Sequence, residues 1–357
     1  MIRVGLRRGT RHAACALLSL LALAPAVAHA SKPSPHSRAS NMIAPSDPAF
    51  GRQWALRSAR VPEAWRTTVG GEVVVAVLDS GIDFSNPDLA SNLWTNPGEV
   101  PGNRVDDDGN GYVDDVHGAD TVNADGDPAD GLGHGTAVAG VIGARGDNGV
   151  GISGVAWNVR LMPVKVVHDG GWASTGSIVA GLRYALANGA RIVNISLNGP
   201  ESSPALDEAI AQAEAQGALV IASAGNDGAN RDRVASFPAS VSSGAVITVA
   251  SANRAGRLAR GSAYGRGSVD IAAPGDDVLT SELGGRLGRR SGTSFAAAHV
   301  TGAAALLAAA RPGASGSRLR AALVASARRG GRVDGAIAGG QLDVTAALER
   351  LGRLRSS

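Results

Sequence analysis

Between residues 73 and 310 the chain alternates short apolar runs with longer stretches of helical spacing, and this alternation restricts its folds more than any other feature. The runs cover residues 73–78, 161–167, 191–195, 218–222, 246–250 and 269–272. They are rich in β-branched residues and bracketed by Gly, Asn and Asp, so they read as strands buried on both faces. Helical stretches at 134–144, 174–188, 204–216 and 294–310 lie between or after them. Strand and helix in turn predict an α/β fold, a doubly wound and mostly parallel sheet flanked by helices. Such sheets keep their chemistry at the carboxyl ends of the strands.

The first 30 residues stand apart. Arg3, Arg7, Arg8 and Arg11 precede an apolar stretch over 13–27, and Ala28-His29-Ala30 follows. A positive start, a short apolar run and a small-x-small end predict a signal peptide. The run falls short of the roughly 20 apolar residues a permanent span needs. Arg7-Arg8 sits in poor surroundings for twin-arginine export, and Cys15 comes too early for a lipid anchor. The whole chain has 34 basic and 31 acidic residues and a pI near 9.5. Cleavage removes four arginines, no acid and the single cysteine, leaving 30 basic against 31 acidic residues. The basic excess therefore belongs to the export signal, and no disulfide or Cys-rich zinc site is available.

Charge is uneven in what remains. Ten acids and one base fall within 99–130, whereas 16 bases and seven acids follow from Arg254 onward. The arginine-rich end lacks interleaved aromatics and any nucleic-acid motif, so it reads as solvated surface. Residues 31–46 are polar and rich in Pro and Ser, a flexible leader. From 47 to 350 no linker or repeat breaks the chain, which is expected to form one domain with 351–357 as a tail.

Three polar residues stand where elements meet turns. Asp79 ends VAVLDSGID, His134 opens a helix in GLGHGTAVAG, and Ser294 opens another in SGTSFAAAHV. Taken singly they are a turn former, a helix-end residue and an N-cap. Together they form a charge-relay set in which His134 takes the Ser294 proton and Asp79 orients the imidazole. Asn226, in SAGNDG, adds a carboxamide able to donate to a developing oxyanion beside the Ser294 N–H. His117, His168 and His299 lack such companions and read as structural.

A further segment, DDDGNGYVDD, sets Asp106, Asp108, Asn110 and Asp114 with the Tyr112 carbonyl at alternate positions, like a calcium loop. Position twelve is His117 rather than Glu, and a solvated acidic loop is the alternative.

In the order Asp79, His134, Ser294, with DSGID, GHGT, SLNGP, SAGND and GTSFAAAHV, the sequence resembles the subtilases, the subtilisin-like serine proteases, over residues 47–348. The order excludes an α/β-hydrolase, whose G-x-S-x-G serine precedes its histidine. The resemblance implies a subtilisin-like three-layer architecture and a serine endopeptidase acting on protein or peptide substrates. It places Ser196, Leu197, Asn198 and Gly199 opposite Ala222, Ser223, Ala224 and Gly225 as walls of the substrate pocket. Asn198 stands where the family pattern has Gly, which implies altered subsites or merely a turn Asn. It also implies a second calcium site from Asp47, Asp88 and Asn148 with the carbonyls of Val150 and Ile152. Ala298, Phe295 and Ala137 depart from the common Pro, Met and His without removing a catalytic group. The 16-residue leader is too short for the family's inhibitory propeptide domain.

The expected protein is thus an exported monomeric protease, secreted or periplasmic, with structural calcium and no nucleic-acid partner or stable membrane anchor. A catalytically silent, calcium-dependent binding scaffold is the rival reading.

Overall fold

The structure, a computed structural model, describes residues 2–3 and 42–353. Apart from residues 2 and 3, the expected signal peptide and the leader up to residue 41 lie outside the described residues. Seven strands form the central sheet: β1 (Gly70–Asp79), β2 (Ala119–Asp120), β3 (Asn158–Lys165), β4 (Ile192–Ile195), β5 (Leu219–Ser223), β6 (Val246–Ala252) and β7 (Ile271–Pro274). Their order is β2-β3-β1-β4-β5-β6-β7, and every neighbouring pair is parallel.

The apolar runs are continuous because the sheet is covered on both sides. Val75, Val77, Ile192, Leu219 and Ile221 join one core cluster, while Ala76, Leu78, Val193, Val220 and Ala222 join the other. Strand side chains alternate faces, so adjacent residues of one run enter different layers. The first layer holds α3 (His134–Gly143), α6 (Thr293–Ala310), α7 (Gly316–Ser326) and α8 (Val344–Arg353), with the short α1 (Trp54–Ser58) and α2 (Val61–Ala64). The second holds α4 (Thr175–Ala187) and α5 (Pro204–Ala215). Helix α6 is long and apolar enough to cross a membrane by composition, but it is a core helix, buried along nearly its whole length.

An antiparallel hairpin, β8 (Val278–Glu282) with β9 (Arg286–Arg290), has no counterpart in the sequence reading. Its RLGRR strand has no apolar alternation, and pairing with β8 supplies its order. Helices α7 and α8 were likewise not anticipated.

Strand β1 lies in the middle of the sheet. The chain adds β2 and β3 on one side of it and β4 to β7 on the other. At such a reversal of winding, α/β sheets form their sites at the carboxyl ends of the strands, which here carry Asp79 at the end of β1 and lead to Asn226 after β5.

Candidate active site

Asp79 is the last residue of β1 and is fully buried. Its Oδ1 accepts from the Ser80 amide at 2.8 Å and from His134 Nδ1 at 2.7 Å, whereas its buried Oδ2 has no partner among the described residues. An ionised carboxylate only accepts, so Nδ1 carries the proton and Nε2 keeps its lone pair. Burial alone would lower the His134 pKa. The charge and hydrogen bond of Asp79, with the Asp130 charge, overcome burial and raise it, while Arg290 opposes them.

His134 is held by a residue the motifs did not single out. Asp130 Oδ1 accepts from Leu132 N, Gly133 N and Ser80 Oγ, and Oδ2 from Thr136 N and Oγ1, all at 2.6–2.9 Å. Ser80 Oγ in turn accepts from the Gly135 amide at 2.9 Å. These bonds satisfy the orphan Gly135 and Thr136 amides in the first turn of α3 and fasten it to the end of β1. An acid just ahead of a helical stretch was the available signal.

Ser294 lies in the first turn of α6, and the ring of its neighbour Phe295 packs on His134 at 5.8 Å between centroids. In the structure the Ser294 hydroxyl donates to the Ser196 carbonyl at 3.3 Å, not to His134. Asn226 is exposed in the turn after β5. Its Oδ1 accepts from Thr293 N at 2.8 Å and Thr293 Oγ1 at 3.1 Å, which leaves the NH₂ free to donate. Beneath the turn lies Arg231, also missed from sequence and only 6% exposed. Its Nε donates to Ala224 O at 2.6 Å and its Nη2 to Asp227 Oδ1 at 2.7 Å. Gly225 has φ +111°, and a Cβ there would fall 2.3 Å from Arg231 Nη2, so glycine is required for this approach.

The two segments proposed as pocket walls continue from the parallel neighbours β4 and β5. Ser196, Leu197 and Gly199 are buried, as are Ala222, Ser223, Ala224 and Gly225. The half-buried Asn198 joins the two segments: Nδ2 donates to Ser223 O at 2.7 Å, and Ser223 Oγ donates to Asn198 Oδ1 at 2.8 Å. Gly199 exchanges backbone bonds with Phe237 at 2.7 and 3.0 Å.

The residues expected at the second calcium site converge. Asp47 accepts from the amides of Asp147, Asn148 and Gly149, and Asp88 from Asn148 Nδ2 at 3.2 Å and Ile152 N at 2.8 Å. Burial, with the Asp47 charge added, raises the Asp88 pKa against the pull of its hydrogen bonds. A Cβ at Gly151 would lie 2.0 Å from Asp88 Oδ2, so the loop closes tightly on this carboxylate. Two buried carboxylates and an amide oxygen suit a hard cation such as calcium. Val150 is exposed, and its amide donates to Asn148 Oδ1 at 2.8 Å.

The acidic loop differs from the alternation read in sequence. Asp106 and Asp108 approach each other and share the Asn110 amide at 3.0 Å, while Tyr112 N donates to Asn110 Oδ1 at 2.8 Å. Asp114, at φ +53°, turns elsewhere and accepts from Gly102 N at 2.8 Å and Arg104 N at 2.9 Å.

The subtilase family model matches residues 70–344, and this chain belongs to that family. It is 32% identical to thermitase of Thermoactinomyces vulgaris over 280 residues, 78% of this chain and 90% of that protein. It is 36% identical to subtilisin Savinase of Lederbergia lenta over 268 residues, covering 75% and 88%. A solved protease structure from Pseudoalteromonas arctica aligns with a TM-score of 0.73 at 30% identity, over 86% of this chain and 99% of that one. The chain is a subtilisin-like serine endopeptidase, and its substrates are proteins or peptides.

Proposed function

We propose that Asp79, His134 and Ser294 are the catalytic triad of this endopeptidase and Asn226 its oxyanion donor. The Asp79–His134 bond of 2.7 Å beside the start of α6 carries the reading. The Ser294 hydroxyl rotates from the Ser196 carbonyl toward His134 Nε2, which takes its proton as Oγ bonds to the scissile carbonyl carbon. Negative charge collects on the carbonyl oxygen, facing the Asn226 NH₂ and the Ser294 N–H. His134 then returns the proton to the leaving amine, and the C–N bond breaks to give an acyl-enzyme. Water, deprotonated by the same imidazole, releases the acid and restores the serine.

The protease acts outside the cytoplasm, secreted or periplasmic, as the arginine-led apolar segment of residues 1–30 suggests. Calcium is its structural metal, held by the Asp47–Asp88–Asn148 cluster and by the acidic loop. When bound, the ion cross-links segments of a mature chain that has no cysteine.

Cleavage of casein or a chromogenic peptide by wild type and Ser294→Ala tests the catalytic assignment. The variant is expected to lose activity by about a million-fold. A folded wild type that cleaves no faster than the variant would overturn it.

A further inference from the structure

Asp106 and Asp108 of the acidic loop converge with a carboxylate from outside the DDDGNGYVDD segment, whereas Asp114 turns away. Glu99 is only 8% exposed. Its Oε1 accepts from the amides of Asp107 at 3.0 Å and Asp108 at 3.3 Å, while Oε2 is buried with no partner among the described residues. Oxygens of Glu99, Asp106 and Asp108 lie within 4.8 Å of one another. The chain closes on this spot: a Cβ at Gly98 would meet Asp108 Cβ at 2.7 Å. A buried carboxylate oxygen without a donor, set against two more carboxylates, is costly unless positive charge joins it.

We propose that Glu99, Asp106 and Asp108 are the carboxylate core of a divalent-cation site of calcium type, and that Asp114 stands outside it. Three carboxylates without His or Cys select a hard cation over zinc. Asp114 is not among the carboxylates that converge there; it turns to the Gly102 and Arg104 amides, so this side chain braces the loop rather than binding. The site is anchored to the protein through Asn96 and Asn110. Asn96 Nδ2 donates to Asp108 at 3.0 Å and to buried Asp115 at 3.1 Å, and Asn110 Nδ2 bridges the same two residues at 3.0 Å each. Asp115 also accepts from the Tyr184 hydroxyl on α4. A cation here ties the loop to the helix layer behind it. The assignment deepens the calcium part of the function proposed above and rests on it.

The test uses mature protein carrying Ser294→Ala to prevent self-digestion, stripped with chelator. Calcium is titrated by calorimetry, and terbium by luminescence sensitised through Tyr112 in the loop. Glu99→Gln, which keeps an oxygen for the two amides, is expected to weaken the loop ion by about 100-fold or more and to dim the terbium signal. Half-exposed Asp106→Asn is expected to do the same, and Asp114→Asn to stay within about threefold of the parent. Unchanged binding in Glu99→Gln, or an equal loss in Asp114→Asn, overturns the assignment. Ions lost only with Asp88→Asn would leave calcium in place and remove this site, and a parent that binds no ion would sink both.

Discussion

Two buried histidines near the same helix end show what burial does and does not decide. His134, at the start of α3, faces the Asp79 carboxylate. His299, one turn into α6 beyond Ser294, bonds through Nδ1 to the Phe295 carbonyl at 2.8 Å. Burial disfavours the charged form of both. At His134 the carboxylate overcomes that cost and the pKa rises above the ordinary 6.5. At His299 burial dominates over the carbonyl bonds, and the pKa falls to about 4. The partner, rather than depth, separates a reactive imidazole from a structural one.

The largest break in this comparison is Asp79→Asn. It is expected to lower kcat by about 10⁴-fold, because the amide no longer selects the tautomer that leaves Nε2 free. The pH–rate profile adds a sign. A base must be neutral to act, so the acidic limb of the wild type should lie above the ordinary imidazole range, and residual activity of the variant should show it shifted down. Protonated His134 stabilises the fold below its unfolded pKa, and that contribution fades as pH rises through the raised value. A variant limb at the wild-type position would deny Asp79 its role in raising the pKa.

The opposite sign follows for His299. Its folded pKa is depressed, so the neutral form adds stability above pH 6.5, and this is lost as pH falls toward about 4. Over that window the loss amounts to about 3 kcal/mol. Denaturant unfolding at several pH values should show a shallower acid slope for His299→Gln, whatever its absolute stability. Identical slopes would remove His299 from the account of acid sensitivity.

An uncharged pair gives the smallest effect. The Asn198–Ser223 bridge ties together the two segments that run on from β4 and β5. Asn198→Gly is expected to raise kcat/KM for peptides with Phe or Leu before the scissile bond by about 10-fold relative to Ala. A constant ratio across that panel would show that the bridge does not shape the pocket.

The strands that carry Asp79 and lead to Asn226 were legible because two-sided burial leaves an unbroken apolar run, visible in one dimension. Helices α3, α4 and α6 were legible because their spacing and ends are local. The β8–β9 hairpin was not, since its arginine-rich strand is ordered only by its partner. Asp130 and Arg231 escaped for a related reason. Each acts through donors or acceptors that converge only once β1 meets α3 or the Asn226 turn closes, although Asp130 lies just ahead of a helical stretch and Arg231 four residues after Asp227.

By itself, the sequence determined the layer pattern and the order Asp79, His134, Ser294, because strand burial and helix periodicity are encoded residue by residue. Tertiary structure alone decided which groups share a space. It brought His134 to Asp79 across 55 positions, turned Asp114 away from its neighbours, and set Glu99 against Asp106 and Asp108. Spacing along a loop does not specify the direction of a side chain. Backbone turns and the burial of charge do.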